Sequence, residues 1–416
     1  KGAADAKTVL GLGMALKRTG DLEGAGLHLE EALDLMRVLG DDGGRLRSMY
    51  ELGIVHFELG RYELARDLLE DALELVKQKD VVEDHPGLLS LLGSVLSRLG
   101  DPEGAKKRLA EALVIQKEFG SEEELAEVLV DLGGVLLKLE SFGSAKGHLF
   151  EASRLLKESG RRELFALALH RLGVAQMNQG TLNGARKHLK GALVLREELE
   201  DGEGAAETAF ILGGVLFGLG RFEGAGERLR RGLDLYRGLG ARDKEADCLR
   251  VLGDIAGVLE SPEEAVGLFE GALEIYKAVG SSSDVAEVLN RLGAIHGELS
   301  KFDVAVGYLE EALDLYRQLG DKGGTAGALF HLGTVHYNCD DYKSSGKHLR
   351  GALKFQRGLG DLGALACTLE HLGAVSERLG DLEGARDCYT ESLGIRRDLD
   401  GDEGLGVLLS DLGAVL

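Results

Sequence analysis

A Leu-Gly dipeptide returns every forty residues along the whole chain. It occurs first as Leu12-Gly13 and last as Leu412-Gly413, eleven times in all, with no insertion or deletion between copies. Self-similarity at a fixed period between twenty and fifty residues is typical of repeat proteins, in which each unit packs against its neighbours. The spacing therefore predicts a single array over residues 1–416. It comprises ten forty-residue repeats in 1–400 and the first helix of an eleventh in 401–416.

Each repeat has the pattern of two helices joined by a short turn. In the eighth repeat, apolar residues recur at helical spacing, at Val285, Leu289, Leu292, Ile295 and Leu299. A second apolar stripe runs from Phe302 to Tyr316, and Gly320 follows it, as Gly often does just past a helix end. Asp101 and Ser261 each precede a proline and are predicted to cap a helix N-terminus. The pattern predicts antiparallel helix hairpins.

The glycine of each Leu-Gly pair falls in the middle of a predicted first helix. Glycine inside a helix costs about 1 kcal/mol relative to alanine, so its repetition requires a packing reason. We expect the second helix to approach closely there, with the alanine row that includes Ala25 and Ala65 as its counterpart and large residues such as Leu29 filling the remaining space.

Composition and charge narrow the classes of function. The formal net charge of −22 argues against nucleic-acid binding, which selects for clustered Lys and Arg. No apolar run is long enough to predict a membrane span. The four cysteines show no paired spacing, which favours reduced thiols and a cytoplasmic location. Because the chain begins at Lys1 and stops inside the eleventh repeat, we expect it to be a piece of a longer protein.

Four positions of each repeat carry a resemblance to a known family. The second repeat has Gly53, Ala65, Leu69 and Ala72, and the eighth has Gly293, Ala305, Leu309 and Ala312. This pattern resembles the tetratricopeptide repeat, here lengthened to forty residues. The resemblance implies an all-α fold, a right-handed superhelical solenoid of antiparallel helix hairpins. It also implies that the first helices line a concave groove.

The forty-residue unit, with Leu-Gly-Asp closing second helices as at Leu39-Gly40-Asp41, is similar to two groups within that family. One group is the Pins/LGN-type scaffolds, which hold extended peptides in their groove. The other is the sensor arrays of STAND-type (NB-ARC-like) NTPases. The resemblance implies a non-catalytic scaffold that binds a protein or peptide. The alternatives are the ligand-sensing or autoinhibitory arm of a regulatory NTPase and an adaptor attached to an enzyme outside these residues.

Candidate groove residues follow when the inward positions of the eighth repeat are transferred to the other repeats. A solvated face would carry Lys and Glu at most of these positions, whereas many here are apolar or aromatic, which is typical of an interaction surface. Packing between repeats is the alternative explanation for Phe210 and Phe217. Arg171, Arg250 and Arg291 near the groove oppose the acidic exterior, so the charge of the ligand stays open. The predicted partner-binding residues are Tyr50, Ile54, Phe57, Val130, Leu137, His170, Val174, Met177, Phe210, Phe217, Arg250, Asp254, Asn290, Phe330 and Tyr337.

No residue pattern predicts catalysis, a metal site or a cofactor. His331, His336 and Cys339 are close in sequence but lack the ligand spacing of a metal site. Carboxylate pairs such as Glu30-Glu31 fall on second helices, where no cleft is expected. The sequence therefore favours binding over chemistry.

Overall fold

The structure is a computed structural model that describes residues 2–79, 86–400 and 405–416. Within these ranges all regular secondary structure is helical, in 21 α-helices. The chain divides into two compact units, Lys1–Leu219 and Gly220–Leu416. The predicted all-α solenoid is confirmed as stacked helix pairs within each unit. The extent of a single array over 1–416 stays a prediction.

Eleven helices belong to the first unit and ten to the second. The first unit contains α1 (Gly2–Thr19), α2 (Leu22–Leu39), α3 (Asp42–Glu58), α4 (Tyr62–Gln78), α5 (Pro86–Arg98), α6 (Pro102–Phe119), α7 (Glu122–Lys138), α8 (Phe142–Leu156), α9 (Arg162–Asn178), α10 (Leu182–Glu198) and α11 (Gly202–Gly218). The second contains α12 (Phe222–Leu239), α13 (Arg242–Val258), α14 (Pro262–Val279), α15 (Ser282–Glu298), α16 (Phe302–Leu319), α17 (Lys322–Asn338), α18 (Tyr342–Leu359), α19 (Leu362–Arg378), α20 (Leu382–Asp400) and α21 (Gly406–Val415). Of the predicted eleventh first helix, residues 401–404 lie outside the described residues.

Odd-numbered helices are the first helices of the repeats, and even-numbered helices are the second. Within each unit, successive helices pack against each other along the chain. Many successive first helices also contact one another, as α7 does with α9 and α15 with α17, whereas the described second helices contact each other less. The first helices therefore form one continuous layer in each unit, and their side chains on that layer are neighbours from repeat to repeat.

The mid-helix glycines pack against large side chains of the second helix. A Cβ added at Gly133 would lie 2.4 Å from the Leu149 Cγ, and one at Gly293 would lie 2.4 Å from the Leu309 Cγ. Gly293 also faces the carbonyl oxygen of Ala305, 3.1 Å from the added atom. The sequence correctly predicts a close approach here. The nearest partner differs from the prediction. The closest atoms belong to the large leucine side chain, and the alanine row contributes only its backbone carbonyl oxygens, which lie farther from the glycine.

The helix ends follow the predicted turn chemistry with one exception. Gly320 ends α16 in the left-handed region at φ 70°. The Asp101 carboxylate accepts a hydrogen bond from the Gly104 amide at 2.8 Å, as predicted for a cap. Ser261 does not cap α14, because its hydroxyl bonds back to the Leu259 carbonyl and its ψ of 65° leaves the short side chain away from the helix amides. At a similar ψ, only the longer aspartate reaches the helix amides.

We predict that Gly133→Ala lowers the free energy of unfolding by about 1–3 kcal/mol, because the new methyl group overlaps the Leu149 side chain. Urea-induced unfolding followed by circular dichroism measures the change. The matched control is Gly147→Ala on the exposed side of α8, where an added Cβ meets no atom within 4 Å. That control should stabilise the chain by up to about 1 kcal/mol. Equal effects of the two substitutions would contradict the packing explanation.

Candidate functional site

All fifteen predicted groove residues lie on first helices. Thirteen are partly exposed, and we call this set the first-helix surface. In the first unit it consists of Tyr50, Ile54 and Phe57 on α3, Leu137 on α7, Val174 and Met177 on α9, and Phe210 and Phe217 on α11. In the second unit it consists of Arg250 and Asp254 on α13, Asn290 on α15, and Phe330 and Tyr337 on α17.

Val130 and His170 are buried and take no part in the first-helix surface. The Val130 side chain is 0% exposed and belongs to the core of the first unit. His170 is 5% exposed, and its Nδ1 lies 3.0 Å from the Thr208 hydroxyl. The neighbouring helix covers His170, which repeat spacing alone does not reveal.

A buried polar network surrounds His170, and the sequence analysis did not find it. The Arg196 guanidinium is buried at the end of α10 and donates to the Gly204 carbonyl at 2.6 Å and to the Thr208 hydroxyl at 2.7 Å. Burial, followed by the charges of Arg196 and Arg171, lowers the pKa of His170 to about 3. His170 is therefore neutral at ordinary pH and acts as a packed polar residue between repeats.

Five apolar residues of the first-helix surface pack against a core on one side and are exposed on the other. Tyr50, Phe57 and Leu137 pack against the core of the first unit while staying half-buried. Phe330 and Tyr337 pack in the same way in the second unit. The core therefore supports each of these side chains on one side.

The α11 part of the first-helix surface contains a notch between two aromatic residues. Phe210, Gly214 and Phe217 lie at helical spacing on one side of α11, and both phenylalanines are half-buried. A Cβ added at Gly214 meets no described atom within 4 Å, so the space beside this glycine is open. Open space between two aromatic side chains is suited to an apolar side chain of a ligand.

The polar part of the first-helix surface, in the second unit, is a network of paired charges. Arg291 Nη1 lies 2.7 Å from Asp254 Oδ1, and Arg250 Nη1 lies 3.2 Å from Glu287 Oε1. Burial raises the pKa of the Asp254 carboxyl, while Arg291 and Arg250 oppose that rise. The side-chain oxygen of Asn290 is buried without a hydrogen-bond partner, and so are the Nε atoms of Arg250 and Arg291. A buried acceptor without a partner is energetically costly.

A cavity of about 820 Å³ lies beside Tyr50 in the first unit, a volume typical of ligand sites. Helices α3, α5 and α7 supply most of its lining, including Glu51, Glu127 and Asp131. Transferring the inward positions of the eighth repeat to the other repeats finds Tyr50. It misses these carboxylates, because they lie at other positions of the repeat. A sequence signal exists for Glu51 and Asp131, which occupy the same position of the second and fourth repeats, whereas Leu91 stands there in the third. Glu127 lies at a different position of its repeat.

Two units of stacked helix hairpins with partly exposed first helices define an α-helical repeat protein. The chain belongs to the tetratricopeptide-repeat family. The family model for this repeat matches residues 5–78, 239–318 and 324–398, which make up more than half of the chain. The resemblance noted in the sequence is thereby confirmed.

Solved structures with low sequence identity share the fold. The apo form of RapI is 15% identical with a TM-score of 0.66, and the alignment covers 86% of this chain and 99% of that one. The apo form of the quorum sensor NprR from B. thuringiensis is 18% identical with a TM-score of 0.55, over 74% and 87% of the two chains. A search of curated proteins finds no match.

A third similar structure is longer than this chain. It is a STAND signal-transduction ATPase with a tetratricopeptide-repeat sensor, PH0952 from Pyrococcus horikoshii, 15% identical with a TM-score of 0.59. The alignment covers 94% of this chain and 54% of PH0952, so the chain spans about half of that protein.

In the described part of the chain, every helix is too short or too polar to cross a lipid bilayer.

We predict that His170→Gln reduces the loss of stability on acidification. The unfolded chain binds a proton at His170 near pH 6.5, whereas the folded chain resists protonation down to about pH 3. The stability that neutral His170 contributes to the folded chain is therefore complete above pH 6.5 and is lost as the pH falls below 6.5. Between about pH 7 and about pH 5, the native chain should lose about 2 kcal/mol more than the variant. Urea unfolding at both pH values measures the difference, and identical pH dependence of the two chains would contradict this assignment.

Proposed function

We propose that this chain is a non-catalytic scaffold that binds a peptide or a helix of a partner protein on its first-helix surface. The observation that carries the proposal is the run of half-exposed apolar side chains on α3, α7, α9 and α11, each placed on a rigid helix. Contiguous exposed apolar surface of this kind usually marks an interaction site. Anchored aromatic residues commonly supply most of the binding energy at such sites.

The geometry favours a linear ligand. The apolar residues lie at equivalent positions of four first helices of the first unit, α3, α7, α9 and α11, and α5 between them carries serines at those positions. A ligand that contacts several of them must therefore extend across the repeats. A peptide laid across these helices would place apolar side chains into gaps such as the one between Phe210 and Phe217. Recognition by helix-in-groove or extended-peptide contacts uses spaced anchors of this kind.

In the second unit we assign hydrogen bonding to Asn290. Its unpartnered side-chain oxygen would accept an N–H of the ligand, which removes the cost of a buried, unsatisfied acceptor. Arg250 and Asp254 already bond within their network, so their role is to orient ligand polar groups at its edge. Phe330 and Tyr337 would flank the same ligand on α17.

The net charge supports the class of partner that we propose, and the free cysteines support the proposed cellular location. A formal net charge of −22 supports a protein or peptide ligand over nucleic acid or an anionic membrane surface. The four cysteines are free, which supports a reducing, cytoplasmic setting. We include no cofactor in the proposal.

A second candidate is a ligand-sensing arm of a STAND-type regulatory NTPase. The similarity to the repeat region of the PH0952 fold, with 94% of this chain aligned, supports this candidate. The two candidates differ in what ligand binding does. If the chain is a sensor arm, adding the ligand that binds the first-helix surface should change the rate of ATP hydrolysis by the full-length protein. If it is a scaffold, binding involves no ATP hydrolysis.

We predict that replacing Tyr50, Phe57, Phe210 and Phe217 with Ser weakens peptide binding by at least about a hundredfold. Each half-buried aromatic anchor contributes about 1–2 kcal/mol to a typical interface. The probe is the tightest peptide selected on the native chain from a phage library of random dodecapeptides, and fluorescence anisotropy measures its binding.

The matched control for this experiment removes exposed aromatic residues from second helices. Phe119 and Phe150 are 65% and 59% exposed on α6 and α8, and replacing both with Ser should leave peptide affinity unchanged. Circular dichroism confirms that each variant is folded. Native affinity in a folded quadruple variant, or failure of the native chain to select any peptide, would contradict the proposed function.

A further inference from the structure

The cavity beside Tyr50 has a lining distinct from the rest of the first-helix surface. It lies in the first unit between the first halves of α3, α5 and α7, with the end of α6 behind it. Tyr50 stands at Gly87, where an added Cβ would lie 3.0 Å from the tyrosine hydroxyl oxygen. The absence of a side chain at Gly87 therefore lets the Tyr50 hydroxyl pack against the start of α5.

Carboxylates dominate the charged lining of the cavity. Of the described residues, Glu51, Glu124, Glu127 and Asp131 line it, together with one cationic residue, Arg47. Lys17 bonds one oxygen of Glu51, and Arg161 bonds one oxygen of Glu127. The second oxygen of each of these two carboxylates accepts no hydrogen bond from a described residue. Because a carboxylate accepts several hydrogen bonds, both groups keep acceptor capacity for a ligand.

Arg171, the cation nearest to this region on α9, is turned away from the cavity. Its guanidinium lies across α7, 2.8 Å from the Val130 carbonyl oxygen and 3.6 Å from Asp131 Oδ1. The other Asp131 oxygen accepts a hydrogen bond from Ser94 at 3.0 Å. Arg171 therefore holds Asp131 in position and does not occupy the cavity.

Two uncharged side chains also line the cavity. Gln116, at the end of α6, is 5% exposed, and Tyr50 is partly exposed. Burial, followed by the charges of Glu51 and Glu127, raises the pKa of Tyr50. The hydroxyl of Tyr50 is therefore uncharged at ordinary pH and close to two carboxylates.

We propose that this cavity receives the guanidinium or ammonium group of a basic side chain on the bound peptide. The inference deepens the scaffold function proposed above and rests on it. The free oxygens of Glu51 and Glu127 accept the ligand N–H groups, and the Tyr50 ring covers the aliphatic part of the side chain. Among the described residues, no three carboxylates or other metal-ligating groups are placed to hold a metal ion.

Peptides selected on the native chain from the random dodecapeptide phage library test this proposal. We expect them to be enriched in Arg or Lys, and the strongest binder is then resynthesised with citrulline in place of its arginine, or norleucine in place of its lysine. The exchange removes the positive charge and should weaken binding to the native chain by at least about tenfold. Because the change is made in the peptide, this result does not depend on the folding of a protein variant.

Glu127→Gln locates the cation in the cavity. The native peptide should bind this variant about tenfold more weakly, whereas the uncharged peptide should bind the variant and the native chain alike. The matched control is Glu30→Gln on α2, an exposed glutamate outside the cavity lining, which should not change binding of either peptide.

The outcomes separate this inference from the function on which it rests. Peptide affinity that falls in the quadruple aromatic variant, but does not change on the charge exchange or on Glu127→Gln, would overturn the cation site. The proposed scaffold function would then still hold. Binding of N-acetyl-arginine methylamide as tight as that of the whole peptide would overturn the peptide as the source and identify a free small cation. Failure to select any peptide would overturn both proposals.

Discussion

The close contact between a mid-helix glycine and a large side chain of the second helix is the constraint on which each hairpin depends. At Gly133 and Gly293 the space where a Cβ would stand is already filled by Leu149 and Leu309. The glycine loses helix propensity, at about 1 kcal/mol, and the leucine gains a fully buried position. Because this contact fixes the distance and rotation of the two helices, it also fixes which side of each first helix remains for a ligand.

Much of the fold was predictable because its determinants are local and recur. The period gives the repeats, apolar spacing gives the helices, and glycines such as Gly320 mark their ends. The predictions that failed depended on how far a side chain reaches and on which residues lie next to it in space. Ser261 does not cap because capping depends on backbone ψ as well as residue type. The glycine partner was misassigned because a sequence pattern does not show how far a leucine side chain extends over the opposite helix.

The candidate site was predictable only in outline. Transferring one repeat's inward positions to the others finds helical faces correctly, but exposure at each position depends on the residues of the next repeat. His170 is covered because Thr208 and Arg196 close over it, whereas Tyr50 packs its hydroxyl against Gly87 and stays partly exposed. The cavity carboxylates were missed for a related reason, since they come from a helical position beside the one transferred.

The charged residues near the first helices show why net charge did not decide the ligand. Arg171, Arg250 and Arg291 oppose an acidic exterior in the sequence, yet each is paired with a carboxylate of the same or a neighbouring repeat. Paired arginines present little net charge to a ligand, so the unpaired acceptors decide local preference. Among the described residues, they include the second oxygens of Glu51 and Glu127 and the side-chain oxygen of Asn290. Recognition in such a protein therefore resides in the acceptors that the packing between repeats leaves unsatisfied, while the glycine, alanine and leucine rows maintain the fold.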